Sequence, residues 1–180
     1  GGAEPTPGSL IHRGSTVTTL AGAAALRFPD GVTCRLGART RVSLPQVRPS
    51  AVTLRLHRGS LAVSVEPGRE RPGVTVETPH GRISVLGTLF VVRVNERSSR
   101  VTVARGAVSV ERGARVQQVR HGQTLELGAE TPGPLAPEQQ GRLARRVAQL
   151  HLLARAARAN HSVHSEPRGA EVSLDGVVLG

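Results

Sequence analysis

The stretch Arg82-Ile83-Ser84-Val85-Leu86-Gly87-Thr88-Leu89-Phe90-Val91-Val92-Arg93-Val94 decides how this chain folds. Ile83 and Val85 alternate with polar partners, as in a strand that turns odd-numbered side chains inward. Beyond Gly87 the apolar phase moves to even positions: Phe90, Val92 and Val94. Side chains switch faces with period two, so a one-residue shift turns the second half inside out unless the backbone absorbs it. Gly87 stands at the changeover, where a bulge or corner needing positive φ costs little. Phe90 follows, one of only two aromatic residues in the protein. One reading is a strand bent at Gly87 that drives Phe90 into the centre of an all-β core. The other is a plain hairpin turn at Gly87-Thr88, and both give the same fold class.

Working outward, short β-like runs occupy 16–20, 23–28, 32–36 and 41–44, with Asp30-Gly31 as a hairpin signal. Residues 45–50 carry two prolines and read as a loop. Val52, Leu54 and Leu56 alternate with Thr53 and Arg55, and the pattern resumes after Arg58-Gly59 as Leu61, Val63 and Val65. A loop with repeated Pro-Gly steps follows at 66–73, then Val74 and Val76 lead into the turn Pro79-His80-Gly81. A glycine followed by an alternating strand recurs at Gly31, Gly59, Gly81, Gly106 and Gly122. That is the pattern of a chain turning tightly between many short strands, in a β-solenoid or β-sandwich spanning residues 9–128. Residues 129–137 hold three prolines and a glycine and mark a linker. From 138 to 160 the period changes: Leu143, Val147, Leu150, Ala154 and Ala157 recur at steps of three and four. This is one long amphipathic helix, opened by Pro137 and closed by Asn160. Its stripe is expected to pack on the β domain, with a second helix or an anionic membrane surface as the other options.

Composition narrows the function. Apolar side chains are mainly valine, leucine and alanine, which suits a thin core. Cys34 is the only cysteine, so no intramolecular disulfide or thiolate cluster is available, and it lies in the inward phase with Val32 and Leu36. The net charge is +11, carried by 24 arginines and no lysine: +9 over residues 1–136, +4 over 137–160 and −2 over 161–180. A basic surface invites nucleic acid. Missing stacking aromatics and the lack of a recognisable reader motif speak against it. Without lysine, a Walker-type phosphate loop and Schiff-base chemistry are excluded. Neither a nucleophile elbow nor a zinc-binding His-Glu-x-x-His is present, so no catalytic, cofactor or metal residue is assigned. His12, His57, His80 and His121 each precede a glycine by one or two residues, as solvated turn residues do; aligned along one sheet edge they would offer a metal site. No apolar run is long enough to cross a membrane. Because methionine is missing even at position 1, we expect a piece of a longer chain, with any anchor elsewhere.

Val85-Leu86-Gly87-Thr88-Leu89-Phe90-Val91-Val92 resembles the central motif of the FecR domain family. Leu26 to Leu36 resembles its early Asp-Gly hairpin, Val101 to Val110 its next strand pair, and His121-Gly122-Gln123-Thr124-Leu125 its closing turn. Residues 163–180 resemble the opening of a PEGA domain, with Pro167, Gly169 and Ala170 in place, and imply a partial β-hairpin ending at Asp175-Gly176. The motif residues Gly87, Thr88, Phe90, Gly106 and Gly122 are therefore expected to shape the fold or face a partner, together with Pro167, Gly169 and Ala170. The resemblance implies a non-enzymatic, extracytoplasmic sensory domain of a single-span regulator on the periplasmic side of a bacterial membrane. It would act by protein–protein contact, with the signalling domain of an outer-membrane transporter as the usual partner. The sigma factor would be reached only through a region outside these residues. The alternative is a structural or glycan-binding module of the cell envelope.

Overall fold

Fifteen strands and one helix realise these patterns. The computed structural model describes residues 10–28, 31–48, 50–65, 73–85, 87–159 and 170–174, and the side chains among them as far as Leu150. The strands are β1 (Leu10–Ile11), β2 (Thr16–Thr18), β3 (Ala24–Phe28), β4 (Val32–Leu36), β5 (Arg41–Arg48), β6 (Ala51–Val65), β7 (Gly73–Thr78) and β8 (Gly81–Val85). They continue as β9 (Leu89–Val94), β10 (Ser99–Arg105), β11 (Ala107–Arg112), β12 (Arg115–Arg120), β13 (Gln123–Glu126) and β14 (Gly133–Pro134). Helix α1 (Pro137–Ala159) follows, then β15 (Ala170–Leu174).

All fifteen strands belong to one sheet, curled around a single apolar core. The 15-residue β6 is its spine. The first part of β6 pairs antiparallel with β5 and parallel with β7; the last part pairs antiparallel with β4 and β9. Two halves result. In one, β1, β15, β3, β4, β6, β9, β10, β13 and β14 lie side by side. In the other the order is β2, β5, β6, β7, β8, β11, β12. We call them the first and second halves. The expected all-β body with one helix is what is seen. The layering, for which a solenoid or a sandwich was expected, is a single sheet made continuous by β6.

Four of the crossings between the halves lie at left-handed glycines. Gly59 lies inside β6 (φ +95°), Gly87 joins β8 to β9 (φ +72°), Gly106 joins β10 to β11 (φ +81°), and Gly122 joins β12 to β13 (φ +74°). At the first three the parity of the inward side chains shifts by one residue, as at a bulge. Leu54 and Leu56 are buried before Gly59, Leu61 and Val63 after it; Val101 and Val103 before Gly106, Val108 and Val110 after it. The bent-strand reading therefore holds at Gly87. Strand β8 pairs with β7 and β11, β9 with β6 and β10, and the two do not form a hairpin with each other. Phe90 is completely buried. Each fully buried Leu or Val contributes roughly 1.5–3 kcal/mol, so a core made mainly of such residues holds the curl with Phe28 and Phe90 as its two aromatics.

A buried polar knot fixes the corner beside Gly59. The Thr19 hydroxyl donates to the Gly37 carbonyl (2.6 Å) and accepts from the Thr40 amide (2.9 Å). The Thr40 hydroxyl accepts from the Ser60 amide (3.0 Å), and the Gly37 amide donates to the Ser60 carbonyl (2.9 Å). A Cβ on Gly59 would lie 2.6 Å from the Thr40 Cα. Glycine is required there twice over, by dihedral and by space.

Both faces of the first half are covered. Leu143, Val147 and Leu150 of α1 pack on Ala62, Leu89, Val91 and Ala104, all on the outer face. This is why Leu89, Phe90, Val91 and Val92 are apolar at four consecutive positions: such a run is the mark of a strand buried on both sides. The expected packing of the helix stripe is thus realised as far as Leu150.

Several local expectations change. The runs 52–56 and 61–65 are one strand, because the glycine bulge bends β6 without interrupting it. Residues 45–48, expected in a loop, continue β5; Pro45 sits where the register slips between Ser43 and Gln46, since proline has no N–H for the ladder. The 129–137 linker is tied to the body: β14 pairs with β13, and Leu135 is buried. Strand β15 joins the same sheet, pairing with β3 and β1. Pro167, Gly169 and the expected Asp175-Gly176 turn lie outside the described residues.

Gly59→Ala should lower unfolding free energy by more than about 2 kcal/mol, as strain and clash add. Gly113→Ala, at φ +57° with no atom within 4 Å of the added Cβ, should cost about 1 kcal/mol. Urea melts read both; equal costs would contradict the corner. Cys34 is fully buried between Leu26 and Val63, and burial pushes its thiol pKa far up. It should react with a thiol reagent only in denaturant, and fast labelling of the native chain would contradict its place.

Candidate partner-contact face

The outer face of the second half has no helix over it among the described residues. Its strands pack Val and Leu inward, so the alternate positions project outward and are polar. Strand register aligns these positions into rows. In one row Arg55 of β6 stands opposite Glu77 of β7, Glu77 opposite Arg82 of β8, and Arg82 opposite Glu111 of β11. The next row runs Gln46, Thr53, Thr75, Ser84, Ser109 and Gln118, one residue from each of six adjacent strands. At about 4.8 Å per strand, that row is roughly 24 Å long.

Glu77 links the charged row. Its carboxylate accepts from Arg55 Nε (2.9 Å) and Nη2 (2.8 Å) on one side and from Arg82 Nη2 (3.3 Å) on the other. Both guanidinium groups remain more than half exposed. Such pairs contribute at most about 1 kcal/mol each to stability, so what they fix is the pattern of charge. An open cleft of about 750 Å³ borders this row, lined by His57, Pro79, His80 and Arg112 besides Arg55, Glu77, Arg82 and Glu111. A smaller depression of about 310 Å³ lies over Pro45, Gln46, Thr53 and Thr75.

His57 contacts the Ser43 hydroxyl through Nε2. Partial burial first, then the nearby Arg41 and Arg55 charges, hold the imidazole pKa below its ordinary value. The shift favours the neutral imidazole. Its folded-state pKa lies below the unfolded value, so protonation favours unfolding as pH falls through that interval. Its charged neighbours are arginines, the reverse of a triad carboxylate. His80 Nδ1 meets the Ser99 hydroxyl (2.8 Å), and His121 Nδ1 meets the Ala104 carbonyl (2.7 Å). His57 and His80 line the same cleft, which His121 does not, and no metal-binding group of three His, Cys, Asp or Glu occurs among the described residues.

The motif residues lie apart from this face. Thr88 is fully buried, and its hydroxyl donates to the Ala107 carbonyl (2.8 Å). A Cβ on Gly106 would come 3.1 Å from that hydroxyl and 3.2 Å from the Gly87 carbonyl. Gly87, Thr88 and Gly106 therefore meet where two crossings pass each other, beside the core that holds Phe90. Gly122 serves the next crossing, where its amide donates to the Val103 carbonyl (2.9 Å) and its carbonyl accepts from Leu135 (3.0 Å). Ala170 opens β15, opposite Ile11. Gly87, Thr88, Gly106 and Gly122 build corners, and the exposed chemistry is on the strands that flank them. Arg55, Glu77, Arg82 and Glu111 were each legible as outward positions, but their alignment depends on strand pairing.

Comparison with known proteins follows the fold. No curated protein matches the chain. Two crystal structures of a proposed anti-sigma factor from Parabacteroides distasonis ATCC 8503 share the architecture, with TM-scores of 0.61 and 0.60 and 15% identity. Each alignment covers 87% of this chain and 84% of that one. The profile described as FecR protein matches residues 15–109, from the entry to β2 as far as β11. That segment is more than half of the sequence and holds the Gly59, Gly87 and Gly106 crossings, and the chain belongs to the FecR family.

Proposed function

We propose that this chain is the extracytoplasmic sensory domain of a membrane-anchored regulator, acting without catalysis through protein–protein contact to control a sigma factor. Family membership and the likeness to a proposed anti-sigma factor support a regulatory signalling role. The observation that carries the contact is the asymmetry of the sheet: one outer face lies under α1, while the other presents ordered rows of charge and hydroxyl groups. Such a face suits a polar protein surface, for which alternating charges set register and partner choice. The signalling domain of an outer-membrane transporter is the partner class that fits this role. The sigma factor would be reached through another part of the protein, and the membrane anchor would lie there too. No helix among the described residues is long and apolar enough to cross a bilayer.

A structural, glycan-binding role would use the same row of hydroxyls and amides. It is the weaker reading, because both phenyl rings are buried (Phe28 at 3% exposure, Phe90 at 0%) and none is left on the surface to stack on a sugar.

The test is capture from bacterial envelope extracts with the full chain as bait. Arg55→Glu with Arg82→Glu should cut recovery of the protein partner at least about tenfold, the loss typical of removing interfacial charge contacts. Arg97→Glu, in the turn between β9 and β10, should leave it unchanged, with circular dichroism confirming the fold of both. Recovery of glycan alone, or a partner retained equally by both variants, would overturn the proposal.

A further inference from the structure

A groove of about 190 Å³ runs between α1 and the outer face of the first half of the sheet. Arg93 and Arg100 enter it from β9 and β10, Arg142 and Arg146 from the helix, and Val91, Leu135 and Leu143 floor it. Arg93 and Arg100 are direct cross-strand partners, an arrangement that like charges ordinarily destabilise. Among the described residues the four guanidinium groups have one ion pair, between Arg100 and Glu126 at 2.8 Å. Arg146 is half-buried, and its pKa is lowered first by burial and then by the Arg93 and Arg35 charges. Positive charge is concentrated here against the electrostatic gradient, on two elements whose shared contact is otherwise apolar.

We propose that this groove binds a small phosphate-bearing dianion, held by Arg93 and Arg100 from the sheet and by Arg142 and Arg146 from the helix. Guanidinium forks match phosphate oxygens in pairs, and a dianion offsets the repulsion among the four arginines. The volume is below the roughly 300–1,000 Å³ of sites for drug-sized ligands, which suits inorganic phosphate or a compact phosphomonoester. Thr102 and Gln139 add polar groups to the wall. The bound dianion would bridge α1 to β9 and β10, fastening the helix over Ala62, Leu89 and Val91. This face is separate from the polar rows of the second half, so the inference stands independently of the partner contact.

Isothermal titration of the full chain with inorganic phosphate, in phosphate-free buffer at constant ionic strength, tests it. Saturable one-to-one binding is expected, with a rise in Tm as phosphate is added. Arg93→Gln and Arg146→Gln should each weaken binding at least about tenfold, as loss of a charge-assisted pair does. Arg146→Lys should weaken it less, and Arg97→Gln should leave it unchanged. A second arm compares glycerol phosphate with vesicles of phosphatidic acid in phosphatidylcholine. Binding to glycerol phosphate supports a soluble ligand. Binding to vesicles alone, absence of saturation, equal affinity for chloride, or the same loss in Arg97→Gln would overturn the proposal.

Discussion

The close approach of Gly59 to Thr40 is the constraint on which the rest of the structure depends. Strand β6 has to serve two halves of a sheet that turn toward each other, and only a residue without Cβ passes Thr40 at that distance. His57, skipped in the ladder with β5, is the extra residue, and with the bend at Gly59 it keeps apolar side chains inward on both sides of the corner. Thr19, Thr40, Gly37 and Ser60 then satisfy one another's polar groups inside the turn, where an unpaired amide or carbonyl would cost about 1–3 kcal/mol. Once the corner is made, the later crossings at Gly87 and Gly106 follow its line. Phe90 fills the space they enclose.

From that curl comes the division of labour between surfaces. Consecutive apolar residues in β9, with Ala62 beside them, make the first half's outer face a seat for a helix. Strict alternation in β7, β8 and β11 gives the second half an outer face of Thr, Ser, Glu and Arg. The first face is closed by the chain's own helix and carries a cationic groove along its rim. The second is polar and has no helix over it among the described residues. The two patterns of side chains thus give one sheet two unlike outer faces.

Much of this was legible in the residues themselves. The parity change across Gly87 marked either a bend or a hairpin turn, and the same change is written across Gly59 and Gly106. The 3.6-residue recurrence of Leu143, Val147 and Leu150 announced the helix and its packing side. Pro45 misled because a proline can sit at a bulge within a strand, which local propensity does not reveal. The parallel pairing of β6 with β7 was not legible, since it joins strands through long-range contacts rather than a tight turn. For that reason the outward positions Arg55, Glu77, Arg82 and Glu111 could be named singly but not seen as one row. The FecR motif drew attention to Gly87, Thr88 and Phe90, which shape the interior, and away from the exposed strands that carry the polar chemistry.

Amide hydrogen exchange on the native chain tests the central claim most directly. If the corner holds the sheet in its curl, the amides of Gly37, Thr40 and Ser60 exchange as slowly as that of Phe90, and only by global unfolding. The edge strand β12, where Val116 is 65% exposed, exchanges far faster. Corner amides that exchange as fast as those of β12 would contradict the account, because the two halves would then open without unfolding the core.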